Sequence, residues 1–508
     1  MRRDVVALVA TVVGFHAFCV LVDSNLFYNA LAWIDPYTHV GLGLYYTDPN
    51  FWDNYYKISR VPWNALQFVV RHVFTPAASG VVIQSLCAVG TTLAVYRIGR
   101  TLFARDVALT VAMLATFFPF FHANGGADYN NALAAPLFFT TWALAQAWAE
   151  RPRRAIALAC GVAAASTLHT SPLFIMTGPC LAITALAVGH ARGRTRADLA
   201  RFIGLALLGF ILTHVAFAAW QAALGRNWAF YMPQYRYIQS MREDPSRNIW
   251  WAPFAWSWLK DSTPNAFMLA VAIVSLAECL RLARARASAP RASVHLAVHG
   301  SWLFVYVAAV VYQVRGQTTL YPDYLGHLFN ACTLLPLGCV VDAAVTRSQA
   351  GMSRRRWWPL VFPALTVAAL YAAATFGRPA GLDAFPWTIA ATLIFYGATF
   401  TTVARGMRAM LYLPLVNATL LVYPDFYKVN TCHALRHLNT VMIEASRLGS
   451  RFVDHPDDLF VWTDGGNPRE VLTTPCYAGI ATTDFTTSFR SIAHRRLGEF
   501  TDENPFAD

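Results

Sequence analysis

The sequence predicts an all-α polytopic membrane protein with about 13 transmembrane helices. Of its 508 residues, 56% are hydrophobic and 13% are charged, whereas soluble domains contain about a quarter charged residues. Apolar runs of about 17–25 residues, the length that a helix needs to cross a bilayer, recur along the chain. These runs lack the alternation of barrel strands, and a helix satisfies its own backbone polar groups in lipid.

The positions of the apolar runs define the predicted spans and the domain organisation. We place the spans at residues 5–23, 77–97, 106–123, 131–149, 155–168, 173–189, 202–222, 264–282, 294–313, 323–345, 357–376, 386–404 and 407–423. A transmembrane domain therefore covers residues 1–425, with long external loops at about 24–76 and 223–263. Residues 426–508 form a small external C-terminal segment.

Basic residues collect in every second connection between the spans. These connections contain Arg2 and Arg3; Arg97, Arg100 and Arg105; Arg151, Arg153 and Arg154; Arg192, Arg194, Arg196 and Arg201; Arg281, Arg284, Arg286 and Arg291; Arg347 and Arg354 to Arg356; Arg405 and Arg408. Because short cytoplasmic loops are enriched in Lys and Arg, this pattern predicts a cytoplasmic N-terminus and an external C-terminus. The net charge of +12 is then a topology signal, and we expect no nucleic-acid partner.

The first outer loop contains the densest group of candidate functional residues. Asp35 follows the first span, and Tyr55, Tyr56 and Arg60 precede a stretch from Trp63 to Phe74 with apolar residues at helical spacing. This stretch is too short to span a bilayer, which favours an interfacial helix on the membrane surface. An aspartate beside a polar and aromatic loop indicates a site held at that surface. The alternative is that Asp35 forms a turn, because Asp-Pro is a common turn pair.

An acid in the first external loop, followed by a Tyr-Tyr…Ser-Arg-x-Pro-Trp segment and an interfacial helix, resembles the GT-C superfamily of membrane glycosyltransferases. The resemblance is to bacterial family-39-like enzymes, relatives of protein O-mannosyltransferases and of the aminoarabinose transferases of lipid A. It extends over the topology of residues 1 to about 425. In that family the acid of the first loop is the catalytic base, and Asp35 occupies this place. The usual second acid beside it is replaced by Pro36.

The resemblance also implies roles for three other outer segments. Asp128, before the fourth span, resembles the second carboxylate of the site, although an Asp in this position is equally suited to cap a helix. Arg315, Tyr321 and Tyr324 lie at the outer end of the tenth span, where relatives contact the lipid phosphate; Tyr residues also belong to ordinary aromatic belts. Lys260, in the long loop 223–263, is a further candidate cation. The tryptophans of that loop favour an amphipathic interfacial stretch.

The resemblance implies a glycosyltransferase in a bacterial inner (plasma) membrane, with a periplasmic C-terminus. Its expected partners are a polyprenyl-phosphate sugar, membrane lipid, and a glycan, lipid or protein acceptor of undetermined identity. No cofactor is required by the sequence, and a divalent metal held by Asp35 and Asp128 is left open because two carboxylates do not specify one. The alternatives are a transporter or flippase of lipid-linked sugars and a non-catalytic scaffold. A transporter would place ionisable groups deep in its spans, where His16, His214, Glu278, His295 and His299 are the candidates.

The predicted topology can be tested by labelling single cysteines introduced at positions 126 and 352 of a cysteine-free variant. A membrane-impermeant maleimide applied to intact cells should modify only position 126, since the arginine-rich connection at 352 faces the cytoplasm. Detergent-opened cells serve as the control and should show both positions modified. Labelling of both positions in intact cells would contradict the topology.

Overall fold

A computed structural model of the protein describes residues 2–23, 46–47, 56–74, 76–117, 130–243, 263–284, 290–314 and 322–348, with residues 390, 392, 393 and 396. Over these residues the chain is helical and contains no strand, as the sequence predicts. The predicted spans 357–376 and 407–423 and the C-terminal segment 426–508 lie outside them.

The described residues form a series of helices that follows the predicted spans. These are α1 Arg2–Asp23, α2 Val61–Val73, α3 Pro76–Leu102, α4 Arg105–Phe117, α5 Asn131–Glu150, α6 Arg154–Thr170, α7 Gly178–Ala191, α8 Arg196–Ala223, α9 Met232–Glu243, α10 Thr263–Arg284, α11 Pro290–Val314 and α12 Pro322–Ser348. Two short 3-10 helices, Tyr56–Ser59 and Pro172–Thr177, precede α2 and α7. We call the first of these the Tyr56 turn.

Five helical segments are long and apolar enough to cross a membrane, and they are Ala78–Leu102, Pro172–Ala191, Arg196–Ala223, Ala266–Arg284 and Arg291–Tyr312. They agree with a polytopic membrane protein, although they do not establish the predicted number of 13 spans. The other predicted spans up to residue 345 also coincide with helices. For the span 106–123, the described helix ends at Phe117.

The helices pack around α4, whose residues from Val107 to Ala115 are all buried. Helices α3 and α12 contact α4, and α1 packs across α3 and α4. From α3 the contacts continue outward through α5 and α6 to α8, while α7 joins α5 to α11. One large apolar core, with residues from α1, α3, α4, α5, α10, α11 and α12, therefore holds the described helices together.

Ion pairs collect at the end of the bundle that bears the arginine-rich connections. The pairs join Arg105 to Asp4, Arg97 to Glu150, Arg281 to Glu278 and Arg291 to Asp342. Asp342 is 1% exposed and also accepts a hydrogen bond from the backbone N–H of Ala104, at 2.7 Å. Three of these pairs join separate helices and tie those helix ends together, whereas Arg281 and Glu278 both lie on α10.

Helix α8 lies at the edge of the bundle and exposes a broad apolar face. Its exposed residues include Ile203, Leu207, Leu208, Ile211, Leu212 and Val215. Apolar patches of this extent are rare on soluble proteins, and they are the ordinary surface of a helix that faces lipid. The protein is therefore an integral membrane protein.

The inner face of α8 packs closely against α6 at two glycines. A Cβ added to Gly161 would lie 1.8 Å from the carbonyl oxygen of Ala206, and one added to Gly209 would lie 2.2 Å from that of Leu158. Both atoms belong to the backbone of the facing helix. The two helices can therefore cross at this distance only with glycine at both positions.

Replacement of Gly209 by Ala should lower the stability of the purified protein by about 1–3 kcal/mol, because the methyl group forces the two helices apart. Gly204 of the same helix is the matched control, since nothing lies within 4 Å of a Cβ added there. Thermal unfolding in one detergent compares Gly209→Ala, Gly204→Ala and the wild type. Equal melting temperatures for the two variants would contradict the close crossing.

Candidate functional site

The candidate site lies at the end of the bundle opposite the ion pairs and begins with the Tyr56 turn. Asn64 stabilises this turn, because its side-chain amide donates to the carbonyl oxygens of Lys57, at 3.0 Å, and Ile58, at 3.3 Å. Ser59 Oγ donates to the carbonyl oxygen of Tyr56 at 2.6 Å. Pro62, in the first turn of α2, favours a helix start here because its φ angle is already helical.

Helix α2 buries a polar face and exposes an apolar one. Arg60, at its N-cap, and Asn64, Gln67 and Arg71 follow one another at spacings of four, three and four residues, so they share one face, and all four are buried. The exposed residues include Val69, Val73 and Phe74. Val61, Trp63 and Val70 are buried as well, so α2 directs its polar face inward and leaves part of its apolar surface exposed. The helix lies where the sequence predicts one, at Trp63 to Phe74.

Arg60 connects the first outer loop to the helix bundle. Its Nη1 donates a hydrogen bond of 2.5 Å to Asn130 Oδ1, and the Asn130 amide donates to the carbonyl oxygen of Thr170 at 2.7 Å. The Arg60 guanidinium carbon also lies 5.4 Å from the centre of the Tyr56 ring, within cation–π range. The first residue before α5, the last residue of α6 and the first outer loop therefore meet at one polar centre.

A second contact fixes another part of the first outer loop to the end of α8. Gln221 Nε2 donates to the Tyr46 hydroxyl at 2.6 Å, and Arg226 Nη2 donates to the Tyr46 carbonyl oxygen at 2.7 Å. The Arg226 guanidinium carbon lies 5.2 Å from the centre of the Tyr46 ring. Burial raises the pKa of the Tyr46 hydroxyl to about 12, so Tyr46 stays protonated at neutral pH.

The two outer loops meet where Tyr56 stacks on Tyr237 of α9. Their ring centres lie 3.8 Å apart, and their planes are inclined by 2°. Lys57, which is fully buried, has its ammonium group 5.7 Å from the centre of the Tyr56 ring. Loop 223–263 thus contains a helix that packs on the Tyr56 turn. The tryptophans that predict an amphipathic stretch in this loop, Trp250, Trp251, Trp256 and Trp258, lie outside the described residues.

Of the site residues predicted from the sequence, the structure brings Arg60 and Tyr56 together. Tyr324 lies in the first turn of α12. The remaining predicted residues, Asp35, Tyr55, Asp128, Lys260, Arg315 and Tyr321, lie outside the described residues. Within the described ranges, no three His, Cys, Asp or Glu side chains gather closely enough to hold a metal ion.

The structure adds three residues to this region that the sequence did not predict, and they are Asn130, Gln221 and Tyr237. Asn130 and Gln221 lie within two residues of predicted span ends on the same side of the membrane as Arg60. Their location at the outer ends of spans could have identified them, because the outer ends of neighbouring helices lie close to the first outer loop. Tyr237 gives no such signal, since it lies in the middle of a long loop.

The ionisable residues considered for a transport path each have a polar neighbour, which lies on another helix for four of the five and on the same helix for Glu278. His16 Nδ1 lies 2.7 Å from Ser85 Oγ, and His214 Nδ1 lies 3.0 Å from His169 Nε2. The others make the contacts Glu278–Arg281, His295–Leu102 and His299–Ser275. Four of the five contacts join separate helices, and polar groups inside proteins usually have such partners.

A comparison with protein families supports the resemblance found in the sequence. Residues 67–220, from α2 nearly to the end of α8, match the family model of dolichyl-phosphate-mannose-protein mannosyltransferases. This family is part of the GT-C superfamily, so the predicted resemblance is confirmed over these residues, and the match indicates a glycosyltransferase. No curated protein and no solved structure gives a significant match to the chain.

Replacement of Asn130 by Leu should destabilise the protein by about 1–3 kcal/mol, because it removes an acceptor from Arg60 and a donor from the Thr170 carbonyl oxygen. Asn130→Asp keeps an oxygen for Arg60 and should therefore lose less. Thermal unfolding of both variants in one detergent measures the difference. A wild-type melting temperature for Asn130→Leu would show that this polar centre does not support the fold.

Proposed function

We propose that the protein transfers a sugar from a polyprenyl-phosphate donor to an acceptor hydroxyl at the outer face of a bacterial inner membrane. The matched family is named for a lipid-linked sugar donor, dolichyl-phosphate mannose, and for transfer to protein. The donor class is carried over from this name. The acceptor of the present chain is left as a hydroxyl group of a glycan, lipid or protein.

The observation that supports this proposal most strongly is the buried polar face of α2. This face contains Arg60, Gln67 and Arg71, and the matched segment 67–220 begins within the same helix. Val69 and Val73 of this helix expose apolar side chains. A lipid-linked donor has the same two parts, an anionic phosphate and an apolar chain. A helix with cations on one side and an apolar surface on the other suits both.

In the proposed reaction, the acceptor oxygen attacks the anomeric carbon of the sugar as the bond from that carbon to the phosphate oxygen breaks. Asp35 accepts the proton of the acceptor hydroxyl as general base. The bonding electrons leave with the phosphate, and polyprenyl phosphate is the second product. A single displacement of this kind inverts the configuration at the anomeric carbon.

Cations stabilise the leaving phosphate as its charge develops in the transition state. Our candidates are Arg60, Arg315 and Lys260, in that order. The order follows from chemistry, because a guanidinium group binds phosphate through two parallel hydrogen bonds and an ammonium group acts as a point charge. Arg60 has a further advantage, since its contacts with Asn130 and Tyr56 fix the side chain before the donor binds.

Asp35→Asn should lower sugar transfer by about 100- to 10,000-fold, the typical effect of losing a general base. The measurement uses purified protein in detergent with radiolabelled polyprenyl-phosphate sugar and a panel of acceptors, and it follows the release of polyprenyl phosphate. Asp48→Asn is the matched control, because Asp48 also precedes a proline in the same loop. That variant should retain wild-type transfer and the same elution volume.

Two results would contradict this assignment. Wild-type turnover by Asp35→Asn would exclude Asp35 as the base. A wild-type protein that releases no polyprenyl phosphate, yet moves intact donor across the bilayer of reconstituted vesicles, would establish a flippase in place of a transferase.

A further inference from the structure

We propose that α9 is part of the transfer site and that Tyr237 is a positioning residue, which holds Arg60 in place through the ring of Tyr56. This inference rests on the proposed function, because it takes Arg60 as a cation that acts on the donor phosphate. Tyr237 itself does not contact the reacting atoms in this proposal. Its effect reaches them through two side chains.

Tyr237 and Tyr56 form a parallel stack. With their ring centres 3.8 Å apart and their planes inclined by 2°, the two rings are in face-to-face van der Waals contact. Tyr56 belongs to the turn that leads directly into Arg60 and α2. A fixed Tyr56 ring therefore fixes one boundary of the space that the Arg60 side chain occupies.

Arg60 is held from two directions. Asn130 accepts its Nη1 hydrogen bond, and the Tyr56 ring lies 5.4 Å from its guanidinium carbon. A long side chain held at one point keeps much of its rotational freedom, and a second contact removes it. If Tyr237 is lost, the Tyr56 ring gains freedom, and its contact with the Arg60 guanidinium group becomes less well defined.

Helix α9 depends on this same stack for its own position. Among the described elements, its main packing partner is the Tyr56 turn. Tyr235, Arg236 and Ile238 on the same helix are exposed, whereas Tyr237 is half-buried. The Tyr56–Tyr237 pair is therefore a central point of attachment for α9, and undocking of α9 would release Tyr56.

A first experiment measures hydrogen exchange of the full-length protein in detergent without any substrate. In Tyr237→Ala, the peptides that contain residues 56–60 and 232–243 should exchange roughly 2- to 10-fold faster, the effect expected from losing one aromatic stack. Tyr237→Phe keeps the ring and should resemble the wild type. Tyr235→Ala is the control on the same helix, and it should leave exchange in residues 56–60 unchanged.

A second experiment measures transfer kinetics with the labelled donor. Tyr237→Ala should lower kcat by roughly 3- to 10-fold with little change in KM, because a mispositioned Arg60 weakens transition-state stabilisation more than donor binding. Tyr237→Phe should restore kcat. In an Arg60→Ala background, Tyr237→Ala should have no further effect, since both changes act on the same cation. Arg60→Lys is the alternative background if Arg60→Ala does not fold.

The outcomes separate this inference from the proposed function. Two results would overturn the positioning role. One is unchanged hydrogen exchange in residues 56–60 of Tyr237→Ala. The other is a Tyr237→Ala change that lowers kcat by the same factor in the Arg60→Ala background as in the wild type. If the wild-type protein transfers no sugar, the proposed function fails. Faster exchange in Tyr237→Ala would then still support α9 as the element that orders the Tyr56 turn.

Discussion

Charged and amide side chains that are buried on folding need hydrogen-bonding or oppositely charged partners. A buried charge without a partner lowers the stability of the fold by several kcal/mol. In this protein several of these partners come from other helix ends. Arg105 bonds to Asp4 at the arginine-rich end, and Arg60 bonds to Asn130 at the opposite end. Each bond joins segments that are distant in the sequence. The same requirement therefore arranges the helix ends and brings the first outer loop onto the bundle.

The candidate site is built on this arrangement. The supports of its described part include Asn130 before α5, Gln221 near the end of α8 and Tyr237 on α9. None of them lies in the first outer loop, yet each contacts a residue of that loop. Contacts with helix ends restrict the positions of the side chains of this loop more than contacts within the loop alone would. In many enzymes the catalytic residues likewise lie on loops whose positions are fixed by a rigid scaffold.

The helices could be predicted because the bilayer imposes length and apolarity on each span. Their ends could not be predicted from apolarity alone. Helix α8 begins at Arg196, six residues before the predicted span, because Thr195 and Asp198 form a capping box in a polar segment. The site was predictable only for residues with distinctive chemistry, such as Arg60. The Tyr56–Tyr237 stack joins two loops about 180 residues apart, and no local pattern encodes that pairing.

The glycine crossing of α6 and α8 has a consequence for how the sequence can change in evolution. Gly161 and Gly209 each face the backbone of the other helix, so no rotamer change can accommodate a larger residue at either position. The ends of these helices hold Thr170 and Gln221, both of which contact the polar region of the first outer loop, directly or through Asn130. Divergence at either glycine would therefore alter the site from a distance. Homologues that keep the site should keep both glycines, even though neither lies near it.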